Sequence, residues 1–163
     1  MLKWTRAGLE ADGFEGFVRF VDLERTEVPA APGVYVIVRQ RGGAPEFLPS
    51  SPAGRFKGKD PSVTRERLEA EWLAGTDVVY IGKASGGASG RRGLRKRLDE
   101  FRRFGEGEPV GHWGGRLIWQ LEESRTLLVC WKETSAEPAT VESAMIQQFA
   151  TLFGRRPFAN LRN

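Results

Sequence analysis

The chain has 163 residues, enough for one domain with its own hydrophobic core and too few for two ordinary domains. Hydrophobic residues make up 40% and charged residues 28%, as in typical globular proteins, and no stretch reaches the ~18 apolar residues of a membrane span. The net charge of +4 suits a polyanionic partner such as nucleic acid.

The N-terminus and the single cysteine indicate the compartment. Charged residues and glycines follow Met1 closely, where a signal peptide would have an apolar run, so we expect no secretory leader. Cys130 lies within an apolar run and has no partner for an internal disulfide. This setting favours a buried structural thiol over a reactive one. Both observations favour a reducing, cytoplasmic location.

Hydrophobic patterns and turn residues predict the elements of the first half of the chain. In chain order these are a short strand at 17–21, a buried strand at 33–39, a loop at 40–58, a helix from Asp60 to Leu73 and a strand at 77–81. The helix is expected to begin there because aspartate is a common N-cap and Pro61 would occupy the first helical position.

The second half predicts two clear helices and one further strand. In chain order we expect an amphipathic helix after Gly90 that ends at Gly105, a segment at 114–121 that suits either a strand or a short helix, a strand at 127–131, and a helix at 138–153. The whole order predicts an α/β (α+β) protein, in which a small sheet has helices packed on it.

Basic residues are concentrated in and just before the amphipathic helix. The members expected to face solvent and bind nucleic acid are Arg91, Arg92, Arg95, Lys96, Arg102 and Arg103. A run of this kind is also common on a helix face that is merely solvated. The sequence alone leaves both interpretations open.

The two tyrosines lie in similar settings. Tyr35 and Tyr80 each occupy a predicted strand beside glycine, and Lys83 follows the second one closely. Tyrosine favours strands in general, so either residue alone would carry no functional meaning. The paired setting indicates a shared polar site.

Two charged residues lie on unexpected faces of their helices. Arg97 falls on the shoulder of the buried stripe, where it can present its guanidinium to a phosphate or pair with a local acid such as Glu100. Glu142 falls within the apolar face formed by Val141, Met145, Phe149, Leu152 and Phe153. A carboxylate in that position is costly unless it binds a metal or an ion-pair partner such as Arg97.

The kinds of residue present limit the metal. His112 is the only histidine and Cys130 the only cysteine, which excludes zinc sites of the Cys/His type. Oxygen ligands suit one Mg²⁺ or Mn²⁺ ion instead, with Glu142 as the candidate ligand. His112 lies in a glycine-rich loop, where a hydrogen-bonding role is favoured over catalysis.

Five motifs in order resemble those of the GIY-YIG endonucleases. They are Gly33-Val34-Tyr35, Tyr80-Ile81-Gly82-Lys83-Ala84, Leu94-Arg95-Lys96-Arg97, Glu142 with Ile146, and Pro157-Phe158-Ala159-Asn160. The resemblance covers residues 33–160 and implies a three-stranded antiparallel sheet flanked by helices. It also implies a single domain over 1–163, with an N-terminal extension at 1–28 and an insert at 40–76.

The resemblance implies a metal-dependent endonuclease that hydrolyses phosphodiester bonds in DNA. Glu142 would bind the single divalent ion, and Tyr35 would orient or deprotonate the attacking water with help from Lys83 or the metal. Arg97 and Tyr80 would hold the phosphate, and Asn160 would brace the site by hydrogen bonds. RNA stays open as a substrate.

Three features depart from the family pattern. The insert at 40–76 is long; the position one turn after Arg97, which often carries histidine, is Phe101; and the stretch from Glu142 to Asn160 is extended. An acid–base role of that histidine is therefore absent or taken by His112. The insert around Arg65, Arg67 and Trp72 and the N-terminal segment are the candidates for substrate recognition.

Two other classes of function compete with the nuclease. A non-catalytic module on the same fold would bind nucleic acid through the basic helix, with a steep dependence on salt. A purely structural or protein-interaction domain would require the motif residues to be coincidental. The joint presence of Tyr35, Tyr80, Arg97 and Glu142 favours the enzyme.

Overall fold

A computed structural model describes residues 1–88, 90 and 92–161. Its regular elements are α1 (Arg6–Ala11), β1 (Glu15–Arg19), β2 (Gly33–Val38), α2 (Arg65–Glu71), β3 (Val78–Ala84), α3 (Gly93–Gly105), β4 (Leu128–Glu133) and α4 (Pro138–Phe153). Three 3-10 helices accompany them, at Phe20–Arg25, Trp113–Gln120 and Ser124–Thr126. None of the described helices is both long and apolar enough to cross a membrane.

The sheet is antiparallel and has four strands in the order β1-β4-β2-β3. The mixed α/β class is confirmed, but the expectation of three strands is wrong because β1 pairs with β4 at one edge. The N-terminal strand begins at Glu15 rather than at residue 17. Gly16 (φ +94°) and Phe17 (φ +56°) shift its register by a bulge, which breaks the alternation that marks a strand.

Strand β2 is central, and all six of its residues are buried. Its side chains alternate between two hydrophobic cores, so that Tyr35 and Ile37 belong to one and Val34 and Val36 to the other. Helix α3 and the 3-10 helix at Trp113–Gln120 cover the first face, and α1 and α4 cover the second. Tyr35 is paired with Gly82 on β3 and with Trp131 on β4.

The insert at 40–76 contains a shorter helix than the sequence predicts. Asp60 accepts a hydrogen bond from the backbone N–H of Ser62 (2.9 Å), which forms a turn and not a helix start. The N-cap of α2 is Thr64, whose hydroxyl accepts from the backbone N–H of Arg67 (3.2 Å), and the helix ends at Glu71. The start of α2 predicted from the Asp60–Pro61 pair is therefore about one turn too early.

The helices α3 and α4 agree with the sequence prediction. Gly154 ends α4 in the left-handed conformation (φ +88°), and the ambiguous segment at 114–121 is mostly a 3-10 helix. The prediction that Leu152 belongs to the buried apolar face of α4 is wrong, because 58% of its surface is exposed. It lies beside an open groove next to the N-terminal segment. Cys130 is buried as expected, and burial raises the pKa of its thiol to about 12.

Candidate active site

A polar pocket of about 480 Å³ lies at the free edge of β3, between α3 and α4. Six of the seven candidate catalytic residues line it, namely Tyr35 from β2, Tyr80 and Lys83 from β3, Arg97 from α3, Glu142 from α4, and Asn160 from the segment after α4. The seventh, His112, contacts Tyr35 from behind. Residues that are distant in the chain therefore meet at one edge of the sheet.

Steric contacts explain why glycine occupies a position in each of the two tyrosine motifs. A Cβ added to Gly82 would lie 2.3 Å from Cζ of Tyr35, because the Tyr35 ring lies across this position of the neighbouring strand. A Cβ added to Gly33 would lie 2.2 Å from the carbonyl oxygen of Lys132 and 2.9 Å from Cδ1 of Leu94. The first glycine thus lets Tyr35 reach the pocket, and the second lets α3 approach the sheet.

Both tyrosines are buried, and their ring centroids are 6.1 Å apart. Burial raises the pKa of Tyr35 well above its usual value of 10; Tyr80 and Glu142 raise it further, whereas Arg97 lowers it. Burial likewise raises the pKa of Tyr80 to about 12. Both phenols are therefore protonated at neutral pH, and neither acts as a base unless its own proton has an acceptor.

The imidazole of His112 supplies such an acceptor in the tautomer that carries its proton on Nδ1. Its Nε2 lies 2.7 Å from the hydroxyl of Tyr35, and its ring stacks on Phe101 with centroids 3.6 Å apart. The side chain is fully buried, so that burial, with the nearby Arg97 charge, lowers the pKa of His112 well below 6.5. Nδ1 has no hydrogen-bond partner among the described residues. The imidazole that contacts Tyr35 is therefore neutral.

Arg97 is half-buried at the wall of the pocket. Its Nη1 donates to the backbone carbonyl of Gly111 (2.8 Å), which fixes one side of the guanidinium fork. The Glu100 carboxylate is 3.8 Å away and lies closer to Arg92. The ion pair with Glu100 is therefore loose, and Arg97 keeps donors for an anion in the pocket.

Glu142 faces the pocket, and its side chain is only 19% exposed. Among the described residues its ion-pair partner is Lys83, with Nζ 3.8 Å from Oε1, so the expected direct pair with Arg97 is not formed. Burial raises the pKa of this carboxyl, against the opposing effects of Lys83 and Arg97. The carboxylate is thus partly desolvated and weakly compensated, as a cation ligand would be.

Asn160 holds the outer edge of β3. Its Oδ1 accepts from the backbone N–H of Ile81 (3.0 Å), and its Nδ2 donates to the carbonyl of the same residue (2.9 Å). The side chain therefore imitates a neighbouring strand between Tyr80 and Gly82. Asn160 positions the strand that carries Tyr80.

The basic residues of α3 are less available than the sequence suggests. Arg102 is only 8% exposed and pairs with Asp99 and Glu106, so the expectation that it projects into solvent is wrong. The Arg102 side chain is buried because α3 packs on the 3-10 helix at Phe20–Arg25 as well as on the sheet. Of the other residues expected to contact nucleic acid, Arg92 and Arg103 pair with acids. Arg95 donates to the carbonyl of Val28 and is loosely paired with Glu27. Lys96 is exposed. Arg91 lies outside the described residues.

Two of the three candidate recognition residues of the insert, Trp72 and Arg65, are engaged in local contacts. Trp72 packs against Phe158 and Phe47, with ring centroids 5.1 and 6.2 Å away. Arg65 pairs with Glu69 on the same face of α2 (2.9 Å). The contact of Trp72 with Phe158 attaches the insert to the segment that carries Asn160.

The described residues contain no group of three or more His, Cys, Asp and Glu side chains that would form a metal site of the protein alone. No family model, characterised protein or solved structure matches the chain. The resemblance to the GIY-YIG endonucleases is therefore carried by the five motifs.

Proposed function

We propose that this protein is an endonuclease of the GIY-YIG type that hydrolyses phosphodiester bonds in DNA with one Mg²⁺ or Mn²⁺ ion. The observation that carries the proposal is the shared pocket, in which two tyrosines, an arginine and a desolvated glutamate from four different elements meet. Packing alone gives no reason for this set of polar groups to converge.

The chemistry of Glu142 fits a hard cation. Mg²⁺ is usually held by one or two carboxylates together with water and substrate phosphate oxygens, so a single protein ligand suffices. Glu142 is the carboxylate that lines the pocket, and its only ion-pair partner among the described residues is the loosely placed Lys83. The bound ion would polarise the scissile phosphate and stabilise the leaving oxygen.

Arg97 would bind the scissile phosphate. Its guanidinium is held by the carbonyl of Gly111 and retains free donors toward the pocket. A planar fork of this kind matches two phosphate oxygens and offsets the charge that grows on them during attack. The hydroxyl of Tyr80, which lines the same wall, would donate to the same group because its high pKa keeps its proton in place.

Tyr35 would activate the attacking water by relaying a proton. As the water oxygen bonds to phosphorus, the P–O bond to the leaving oxygen breaks, and that oxygen departs with the electron pair and then takes a proton from solvent. In the same step the Tyr35 oxygen takes the proton of the attacking water, and the Tyr35 proton moves to Nε2 of His112 at 2.7 Å. The phenol is neutral before and after this exchange, so its raised pKa is no obstacle. Because burial lowers its pKa, His112 is unprotonated at neutral pH, and its Nε2 is available for the proton.

A digest of single-stranded, duplex and branched DNA, and of the matching RNAs, tests the proposal. We expect endonucleolytic products from DNA with Mg²⁺ or Mn²⁺ and none with a chelator. Cleavage that is unaffected by the chelator would contradict the role of the ion. No cleavage of any substrate with either ion would leave binding without catalysis, which is the competing interpretation.

A further inference from the structure

The insert presents a hairpin tip beside the pocket. Phe56 and Lys59 exchange backbone hydrogen bonds (3.3 and 3.0 Å), and both residues between them, Lys57 (φ +53°) and Gly58 (φ +76°), are left-handed. Asparagine or glycine normally occupies the first of these positions. A lysine there keeps a long cation at the tip despite the backbone strain, and its Nζ lies 5.3 Å from the centre of the Phe56 ring.

The hairpin packs against residues that adjoin the wall of the pocket. The Phe56 ring lies over Gly111, at which a Cβ would be 3.3 Å from Cε2 of Phe56, and the carbonyl of Gly111 holds Arg97. Phe56 also faces Trp113, at 6.4 Å between centroids and 31° between planes. Gly114, the next residue, lines the pocket. Trp113 therefore directly precedes a residue of the pocket wall in the chain, and Phe56 packs beside Trp113 and beside Gly111, which holds Arg97.

Both rings are half-exposed and carry cations rather than acids. Arg116 lies over Trp113, with Cζ 4.6 Å from the ring centroid, and Lys57 lies over Phe56. Lys57, Arg67 and Arg116 have no ion-pair partner within 4 Å in the described part of the chain. This excess of positive charge contrasts with the last turn of α3, where acids pair with Arg102 and Arg103.

We propose that the surface formed by Phe56, Lys57, Trp113 and Arg116 binds unpaired nucleobases next to the scissile phosphate. The inference rests on the proposed function and names its substrate as DNA with a single-stranded segment. Half-exposed aromatic rings with adjacent cations stack bases of any sequence, as single-strand-binding grooves do, whereas a duplex offers its phosphates and keeps its bases stacked on one another. The pairing of Arg102 and Arg103 with acids leaves α3 with fewer cations for the phosphates of a duplex.

Binding without metal tests this surface independently of cleavage. Fluorescence anisotropy in EDTA would compare a labelled 12-nucleotide single strand with a duplex of the same length. We expect the wild type to prefer the single strand, Trp113→Leu to weaken that binding by about tenfold or more, and Trp113→Phe to restore most of it because a ring is kept. Duplex binding should change less than twofold.

A charge-matched pair of variants completes the test. Arg116→Gln should weaken single-strand binding several-fold, whereas Lys3→Gln, which removes one charge from an exposed position on a different groove, should leave it unchanged. Circular dichroism and thermal unfolding would show that each variant is folded, and Phe56→Leu replaces Trp113→Leu if the latter does not fold.

The outcomes separate this inference from the proposed function. Equal binding by the wild type, Trp113→Leu and Phe56→Leu would overturn the surface, even if cleavage occurs. A preference of the wild type for duplex would do the same. Single-strand binding that depends on Trp113, combined with no metal-dependent cleavage, would keep the surface and overturn the nuclease.

Discussion

The hydroxyl of Tyr35 and Nε2 of His112 lie 2.7 Å apart, although 77 positions separate them in the chain. The contact is possible because His112 stacks on Phe101 of α3, at the position one turn after Arg97. The 3-10 region therefore brings an imidazole to the place where the resemblance would expect a histidine on the helix itself. Both members of the pair are buried, so solvent does not compete for their hydrogen bond.

The proton relay predicts that Tyr35→Phe and His112→Gln both lower the cleavage rate by about 100-fold or more, which is the usual size of general-base effects. Glutamine retains an acceptor for the Tyr35 hydroxyl but cannot hold the transferred proton. Single-turnover rates and Kd for DNA should be measured for both variants. Binding should change little, and a His112→Gln variant that cleaves at the wild-type rate would rule out the relay.

Burial of His112 predicts a dependence of stability on pH. Since its pKa is lowered in the folded state, the unfolded chain takes up a proton below about pH 6.5 that the folded chain does not. The free energy of unfolding should therefore fall as the pH decreases from 7 to 5, by about 2 kcal/mol from this residue alone. Urea titrations of the wild type and His112→Gln would measure it.

The comparison with the variant isolates one group because His112 is the only histidine in the chain. The carboxyl groups are shared by both proteins, so their contributions cancel in the difference. We expect the variant to show the shallower slope. Parallel pH profiles for the two proteins would mean that His112 is not held in its neutral form.

The two hydrogen bonds of Asn160 predict a stability effect that is separable from chemistry. Asn160→Ala leaves the backbone N–H and carbonyl of Ile81 without their partners, which should cost about 2 kcal/mol of unfolding free energy. Cleavage should fall as well because Tyr80 adjoins this peptide. Asn160→Asp places a carboxylate oxygen opposite the carbonyl of Ile81, so it should be at least as destabilising as alanine at neutral pH.

Strong periodic patterns explain why α3 and α4 could be predicted from the sequence. Leu94, Leu98 and Phe101 are buried on α3 as the spacing requires, and Gly154 ends α4. Strand β1 was misplaced because Gly16 and Phe17 form a bulge that no alternation rule describes. Arg102 was placed in solvent because a helical projection includes only the sheet as a partner and omits the 3-10 helix at Phe20–Arg25.

The part of the candidate site that is formed by motif residues could be predicted from the sequence. Tyr35, Tyr80 and Glu142 share a pocket because strand pairing and the inward face of α4 bring them together. The partner of His112 was not predictable, since it depends on the path of a glycine-rich loop with no pattern of its own. The hairpin at Phe56 was equally unpredictable, because Gly, Pro and Ser dominate residues 40–58 and no periodic pattern is visible there.

The most direct test of the account is the loss of the Glu142 carboxylate. Glu142→Ala should abolish Mg²⁺-dependent nicking of supercoiled plasmid and cleavage of branched DNA, while DNA binding in EDTA and the unfolding transition stay close to those of the wild type. Glu142→Gln, which keeps the shape of the side chain without its charge, should behave in the same way. Wild-type cleavage by either variant would contradict the account, because the ion would then have no ligand in the pocket.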